Sequence, residues 1–217
     1  MFPIRDTQNL GKFPFINLSL IAVNIYIFFK ELLAPNTEKF ITQYALIPAN
    51  VSLSSIENLT PFITSIFLHA GFLHIISNMW FLWIFGDNVE AIIGHIKYLG
   101  FYLICGVSAS FIQYLFIVDS TLPVIGASGA IAGVLGAYFK YFPGNKIDTI
   151  VPIFGLPIIL ALPASFMLIY WFFIQAFNGV ASIAVVTASV GGVAYLAHAG
   201  GFLSGFLLSP FLVWRKA

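Results

Sequence analysis

The sequence predicts an all-α membrane protein whose chain crosses the lipid bilayer six times. Of its 217 residues, 60% are hydrophobic and 8% are charged, whereas soluble domains carry about 25% charged residues. The mean hydropathy is +0.98. A membrane-spanning helix needs about 20 apolar residues, so this length allows about six spans in a single domain, 1–217. The composition excludes a soluble enzyme, a secreted disulfide scaffold and a disordered tail.

The net charge and the cysteine content narrow the class of function. The net charge is +1, whereas a nucleic-acid-binding protein needs a basic face. The single cysteine, Cys105, lies in an apolar run, so neither an intrachain disulfide nor a CxxC metal site exists. We therefore expect no nucleic-acid partner, no bound metal and no cofactor.

Charged residues and clusters of Pro, Gly or Asn divide the apolar sequence into spans. The first four lie at about 13–29, 67–85, 98–118 and 122–139. The next apolar stretch contains Pro152, Pro157 and Pro163, and proline tends to break or kink a helix. We therefore place the fifth span at about 160–177, after a connection that lies on the membrane, and the sixth at about 190–213. The long outer loop, about 30–66, is expected to be partly immersed in lipid.

The distribution of Lys and Arg predicts how the chain is oriented. If the N-terminus faces the cytoplasm, Lys30 and Lys39 face outside. The other basic residues face the cytoplasm: Arg5, Lys12, Lys97, Lys140, Lys146, Arg215 and Lys216. The positive-inside rule therefore predicts that both termini are inside. We expect the first span to be retained rather than cleaved as a signal peptide. The same distribution fits a bacterial inner membrane.

Four polar residues, His74, Asn78, Ser128 and His198, fall inside predicted spans. An unsatisfied polar group there costs several kcal/mol, so such residues are functional candidates. The four-residue spacing of His74 and Asn78 puts both on one helical face. Ser128 lies about six residues into its span and His198 about eight, which is roughly 8–13 Å below the outer surface at ~1.5 Å per residue. All four residues are therefore expected to share one layer of the membrane.

Small residues around Ser128 and His198 predict that their two helices approach closely, as a short serine side chain requires. The small residues accompanying His198 are Gly191, Ala194, Gly201 and Gly205, and those accompanying Ser128 are Gly129, Ala132, Gly133 and Gly136. Glycine stripes also serve helix association alone, and a serine in a membrane helix often bonds to its own backbone. From these residues alone, a catalytic pair and a purely structural arrangement both stay open.

Three motifs on alternate spans carry a family resemblance. They are His69-x4-His74-x3-Asn78, Gly126-x-Ser128-Gly129, and Ala197-His198-x2-Gly201-x3-Gly205. Together they resemble the signature of the rhomboid intramembrane serine proteases, in the minimal form with six transmembrane helices. The resemblance extends from about Thr64 to Gly205.

The resemblance implies a site and a role for each of its residues. Ser128 would be the nucleophile and His198 the general base, a pair without an acidic third member. The oxyanion hole would consist of His74, the Asn78 side chain and the backbone N–H of Ser128. Gly126 would let the substrate backbone approach the serine. The remaining motif residues would support the site: His69, Gly129, Gly201 and Gly205.

The sequence departs from the family pattern at two places. Many members carry Trp-Arg in the first loop, where this chain has Thr60-Pro61, so its loop must be anchored differently. Some members have a tyrosine one turn after the nucleophile that stacks on the catalytic histidine. Ala132 occupies that position here, so we expect packing alone to hold His198. Glu90 matches a structural position of the family, and His95 is interpreted as a residue of the inner surface.

The resemblance also implies the substrates, which would be single-span membrane proteins cut near the outer end of their helix. The substrate would enter from the lipid bilayer between the second and fifth spans. Plausible wall residues of that opening are Phe81, Tyr170, Trp171, Phe172 and Phe173, although packing against lipid is the simpler interpretation of each. The apolar segment 179–189 would form a loop that caps the site. The sequence leaves the oligomeric state open.

Other functions are weighed against the same residues. A membrane metalloprotease needs a motif such as HExxH, and no histidine here is followed by Glu. An intramembrane aspartyl protease needs two aspartates within spans, whereas Asp87 and Asp119 lie at span ends. A solute transporter would need paired charges or ion-coordinating groups deep in the bundle, and the predicted spans lack them. The strongest alternative is a rhomboid-like protein that binds membrane helices without cleaving them.

Overall fold

In a computed structural model, which describes residues 1–7, 10–52, 56–184 and 194–213, the chain forms a helical bundle with a small sheet at one end. The helices are α1 (Phe15–Leu32), α2 (Thr37–Tyr44), α3 (Pro61–Thr64), α4 (Phe72–Ile93), α5 (His95–Phe116), α6 (Ser128–Tyr141), α7 (Ala164–Ala184) and α8 (Tyr195–Leu212). The strands are β1 (Phe2–Asp6), β2 (Lys146–Ile153) and β3 (Leu156–Pro163). The predicted helical, membrane-spanning architecture is confirmed.

Four helices of the described chain are long and apolar enough to cross a membrane: α1, α5, α8 and the first 18 residues of α7. The segment Pro61–Phe67 and α4, which are bent by 93° relative to each other, together form a fifth candidate. The 14 residues of α6 extend for about 21 Å, which is less than the ~30 Å hydrocarbon layer. The number of six spans, the single domain and the inward orientation of both termini therefore stay predictions.

Helix α6 is the central element of the bundle and packs against α4, α5 and α8. Its residues from Gly129 to Tyr138 are all buried. The prediction that this span begins at about residue 122 is wrong, because the helix begins at Ser128. Before it, Val124 pairs with Leu46 as an isolated β-bridge, and Gly126 has a φ of +124°, which is incompatible with a right-handed helix.

Strands β1, β2 and β3 form an antiparallel sheet that the all-α prediction did not include. Residues 160–163, predicted to open the fifth span, belong to β3, and α7 begins at Ala164.

Proline in a central strand normally removes a ladder hydrogen bond. Pro152 avoids this penalty because β1 pairs with β2 only as far as Ile150. Phe154 and Gly155, with φ of +51° and +82°, form the two-residue turn between β2 and β3, as type I′ turns do.

The β2–β3 hairpin exposes apolar side chains on both faces of β3, where a strand on a protein core would bury alternate residues. Leu156, Ile158, Ile159 and Leu160 are exposed, and Phe154 at the turn is fully exposed. After Asp148 the hairpin has no charged residue, and β3 leads directly into α7. These features favour the predicted position on the membrane.

A fluorophore attached at Phe154→Cys, in a Cys105→Ala background, is expected to be quenched by lipids that carry a quencher on their acyl chains. The physical reason is that two exposed apolar faces are stabilised by lipid and not by water. The matched control is Lys146→Cys, since Lys146 is exposed at the charged base of the same hairpin. Quenching of the residue-154 label by aqueous iodide alone would contradict the prediction.

Strand β1 is fixed to the bundle by its side chains and by Trp80. The indole N–H of Trp80 donates to the carbonyl of Pro3 at 2.7 Å, and the Tyr138 hydroxyl and the Asn88 amide each donate to Asp6 Oδ2 at 2.7 Å. Burial raises the pKa of the Asp6 carboxyl, and the Tyr138 hydrogen bond opposes that rise. The N-terminal strand therefore lies at the same end of the bundle as the end of α6.

The first loop is anchored without the Trp-Arg pair by contacts of its own backbone. Thr64 Oγ1 donates to the carbonyl of Tyr44 at 2.6 Å, and the Ala49 N–H donates to the carbonyl of Ser120 at 2.9 Å. With the Leu46–Val124 bridge, these bonds tie the loop to itself and to the segment that leads into α6. The loop thereby helps to fix the approach to Ser128.

Candidate active site

Ser128 and His198 meet between α6 and α8. Ser128 Oγ lies 2.7 Å from His198 Nε2, within hydrogen-bond distance. His198 is the fourth residue of α8, and Ser128 is the first residue of α6 rather than the sixth of a longer span. The backbone N–H groups of the first helical turn have no partner within the helix, and they give the helix start a partial positive charge. A serine in this position therefore lies beside donors suited to a negative oxygen.

Glycines on α8 allow the approach of the two helices. A Cβ atom on Gly201 would overlap the carbonyl oxygen of Gly129, and a Cβ on Gly205 would overlap that of Gly133. On α6, a Cβ on Gly129 would lie 2.6 Å from the Cβ of Ala109 on α5. The predicted small-residue stripe thus includes direct backbone contacts between α6 and α8. Residues 190–193, the predicted start of the sixth span, lie outside the described residues.

His198 is held by α7 through two side chains. Gln175 Oε1 lies 2.8 Å from His198 Nδ1, and the Trp171 ring stacks on the imidazole with centroids 5.9 Å apart and planes inclined by 29°. The expectation that packing alone holds His198 is therefore wrong. The signal available in the sequence was an amide side chain within an apolar span, where a polar group is costly.

His74 lies against the segment that precedes Ser128. A Cβ on Gly126 would be 2.8 Å from both Cε1 and Nε2 of His74, so a glycine is required there by space as well as by its φ. The Ala70 N–H donates to His74 Nδ1 at 3.4 Å, which leaves the ring proton on Nε2, the atom that faces Gly126. The Gly126 N–H in turn donates to the carbonyl of Ser65 at 2.9 Å.

Asn78 is buried one turn after His74 on α4. Its Nδ2 atom has no hydrogen-bond partner among the described residues. Because an unpaired buried donor costs about 1–3 kcal/mol, natural proteins seldom retain one without a reason. This amide is therefore an available donor in the helix that carries His74.

His69 is fully buried beside these residues, and its ring packs against two other aromatic rings. Its ring centroid lies 5.1 Å from that of His74 and 6.5 Å from that of Phe28. Its backbone N–H donates to Glu31 Oε2 at 3.2 Å. His69 thus joins the end of α1 to the start of α4.

Glu90 and His95 lie at the opposite end of the bundle. The two carboxylate oxygens of Glu90 accept the backbone N–H groups of Ile16 at 2.9 Å and Asn17 at 2.7 Å, which caps the start of α1. His95 Nδ1 pairs with Glu90 Oε1. His95 is thus the partner of a helix-capping carboxylate, in addition to lying at the surface.

The four aromatic residues of α7 considered as walls of a lateral opening separate into two groups. Trp171 faces His198, and Phe172 packs against Phe202 with centroids 5.0 Å apart. Tyr170 and Phe173 are exposed on the outer side of α7. The predicted capping loop 179–189 is helical as far as residue 184, which ends α7, and 185–189 lie outside the described residues.

A small cavity adjoins Ser128. Its lining includes Ser65, Gly106, Ser110, Gly126, Ser128 and Ala197. Two further serines, Ser65 and Ser110, therefore line the same space as the nucleophile candidate. Among the described residues, no group of three or more His, Cys, Asp and Glu side chains is arranged to hold a metal ion.

The fold and these contacts define a polytopic helical membrane protein with a Ser–His pair between two closely packed helices. The Rhomboid domain family model matches residues 57–215. The chain belongs to this family.

Its relatives are known by name in animals, plants and fungi. It is 27% identical over 209 residues to presenilin-associated rhomboid-like protein, mitochondrial, of Bos taurus. That match covers 91% of this chain and 49% of the bovine protein. It is 30% identical over 156 residues to RHOMBOID-like protein 6, mitochondrial, of Arabidopsis thaliana, a match that covers 70% of this chain and 43% of the relative. It is 28% identical over 205 residues to Rhomboid protein 1, mitochondrial, of Saccharomyces cerevisiae, a match that covers 89% of this chain and 52% of the relative. The chain thus spans about half the length of these relatives.

Proposed function

We propose that this protein is an intramembrane serine endopeptidase that cuts the transmembrane segments of other membrane proteins. The observation that carries the proposal is the 2.7 Å contact between Ser128 Oγ and His198 Nε2. Membership of the Rhomboid domain family supports it. A serine hydroxyl becomes a useful nucleophile when an adjacent base removes its proton.

In the proposed reaction, Ser128 Oγ attacks the carbonyl carbon of the substrate while its proton moves to His198 Nε2. The tetrahedral intermediate then breaks its C–N bond, and the leaving amine takes that proton from the imidazolium. Water then attacks the acyl carbon and gives a proton to His198. The bond between that carbon and Ser128 Oγ breaks, and Oγ takes the proton back from His198. The hydroxyl-lined cavity beside Ser128 offers a place from which that water can come.

The negative oxygen of the intermediate would be stabilised by three donors. The first is the Ser128 N–H at the start of α6. The second is the amide of Asn78, whose Nδ2 has no other partner in the described part of the chain. The third is His74 Nε2–H, which lies against Gly126. Preorganised donors of this kind usually form the largest single contribution to acyl-transfer catalysis.

Asn78→Ala is expected to lower kcat by about 10²- to 10³-fold and to change KM little, because the lost donor acts on the transition state. The measurement is initial-rate cleavage of a labelled single-span substrate in proteoliposomes. Asn24→Ala is the matched control, since the buried Asn24 amide donates within α1 to the carbonyl of Leu20. An Asn78→Ala enzyme with unchanged kcat would remove Asn78 from the oxyanion hole.

The proposed substrates are single-span membrane proteins. A helical peptide bond is shielded by its own turn, so the substrate must unwind locally, which Gly or Pro in its helix makes easier. We propose that it approaches through the bilayer along α4 and α7.

The bacterial inner membrane predicted from the basic residues is not supported by the relatives, whose names place them in mitochondria.

The test is cleavage of a tagged single-span substrate with a Gly- or Pro-weakened helix in proteoliposomes, with and without a metal chelator. Labelling with a fluorophosphonate, followed by peptide mapping, is measured on the same preparation. Cleavage that is insensitive to chelator, together with label on Ser128, is the expected result. Folded protein that neither cleaves several substrates nor takes the label would favour the helix-binding alternative.

A further inference from the structure

The side chain of Gln175 completes a chain of hydrogen bonds that begins at Ser128. Ser128 Oγ contacts His198 Nε2 at 2.7 Å, and His198 Nδ1 contacts Gln175 Oε1 at 2.8 Å. Each of the three residues comes from a different helix: α6, α8 and α7. Both ring nitrogens of His198 are therefore engaged.

We propose that Gln175 is a positioning residue that fixes the tautomer and ring orientation of His198, so that the seating of α7 against α8 controls the reactivity of Ser128. This inference rests on the proposed roles of Ser128 and His198.

The amide oxygen of Gln175 selects the tautomer that can act as a base. A neutral imidazole carries one N–H, and an amide oxygen can only accept. With Oε1 facing Nδ1, the proton must be on Nδ1, and the lone pair of Nε2 is left to accept the serine proton. The opposite tautomer would place an N–H against the serine oxygen and could not remove its proton.

A neutral amide suits this environment better than a carboxylate. The acidic third member of a Ser-His-Asp triad orients the histidine and stabilises the imidazolium. A carboxylate within an apolar span would be costly to ionise. Gln175 retains the orienting function and carries no charge, which suits its position within the apolar span of α7.

The same face of α7 supplies a second contact to the imidazole. Trp171 precedes Gln175 by four residues, one helical turn, and stacks on the His198 ring. Other side chains of α7, including Phe173 and Phe177, are exposed on the outer surface of the bundle. A displacement of α7 would therefore remove the hydrogen bond and the stacking contact together, and His198 would lose both of its contacts with α7.

The variants that test this inference are Gln175→Met, which keeps the length of the side chain but replaces the amide oxygen by a weakly accepting thioether, and Gln175→Glu, which keeps a carbonyl oxygen. Asn178→Met is the matched control, since it removes an amide from the same helix where it takes no part in the hydrogen bonds to His198. The two readouts are the rate of fluorophosphonate labelling of Ser128 and the kcat and KM of cleavage in proteoliposomes.

Gln175→Met is expected to lower both the labelling rate and kcat by about 10- to 30-fold, as the loss of one orienting hydrogen bond predicts, with KM changed less than about twofold. Gln175→Glu is expected to recover most of the loss, and Asn178→Met to behave as wild type. Labelling of Gln175→Met at the wild-type rate would overturn the inference while leaving the proposed function intact. An equal loss in all three variants would also overturn it, because the effect would then be one of helix packing.

A spectroscopic measurement on the wild-type protein does not depend on how the Gln175 variants fold. With ring-¹⁵N histidine, the four histidines give separate tautomer-sensitive signals, and the His198 signal is assigned by its absence in His198→Ala. We expect a neutral His198 to carry its proton on Nδ1. A proton on Nε2 would overturn the inference. A wild-type protein that neither cleaves nor labels would overturn the proposed function, and this inference with it.

Discussion

Ser128→Ala is expected to lower substrate cleavage by at least about 10³-fold in proteoliposomes. The variant keeps the helix start and the neighbouring donors but lacks the oxygen that would form the acyl-enzyme. What activity remains in such variants comes from the oxyanion hole and substrate binding alone. His198→Ala is expected to lose a similar amount, and the double variant little more, because the two groups act on one proton transfer.

The control for this result is Ser19→Ala, since Ser19 donates back to the carbonyl of Phe15 within α1 and is far in sequence from the site. Its cleavage rate should equal that of the wild type. Thermal unfolding of each purified variant shows whether it is folded. Cleavage that survives in folded Ser128→Ala would refute the mechanism and indicate a contaminating protease.

Gly205→Val is expected to disrupt the contact between α6 and α8. A Cβ at residue 205 would overlap the backbone of Gly133, which cannot move aside as a side chain can. Overpacking of a close contact typically costs about 1–3 kcal/mol and sometimes more, and here the two helices would also have to separate. We therefore expect a loss of about 3 kcal/mol or more in the free energy of unfolding, together with loss of cleavage because Ser128 and His198 no longer meet.

Gly100→Val is the matched control for this prediction. Gly100 lies in α5, and a Cβ there would have no other atom within 4 Å. The substitution therefore changes the same residue type in a membrane helix without creating a clash. Similar unfolding free energies for Gly100→Val and Gly205→Val, measured by denaturant titration in detergent, would mean that the α6–α8 contact is not as close as the structure shows.

The sequence was most informative where one residue type has one physical meaning. Apolar length predicted the helices, and Gly201 and Gly205 predicted the close approach that brings Ser128 to His198. The sequence does not predict the β2–β3 hairpin, because Pro152 and Pro157 indicate a break between helices and no Asn-Gly or Asp-Gly pair marks the turn at Phe154. Apolar composition also could not distinguish the extended segment before Ser128 from the helix after it.

Gln175 shows a second limit of sequence reasoning. A pattern search compares residues that lie near each other in the sequence or share a motif, and Gln175 is 23 residues from His198 and belongs to none of the three motifs. Only the packing of α7 on α8 places its amide beside the imidazole. The cost of a polar group in an apolar span was the available clue, and it applies equally to several other residues of this chain.

The pairing of β1 with β2 has a consequence for how the protein is made. Arg5 and Asp148 form an ion pair across residues that are 143 positions apart, so β1 is synthesised well before its partner strand exists. At ~5–20 residues per second, that interval is roughly 7 to 30 s. During this time six of the eight described helices are synthesised, while β1 has no strand to pair with. The sheet therefore closes late in biogenesis, and it joins the earliest part of the chain to the middle only after most of the bundle is in place.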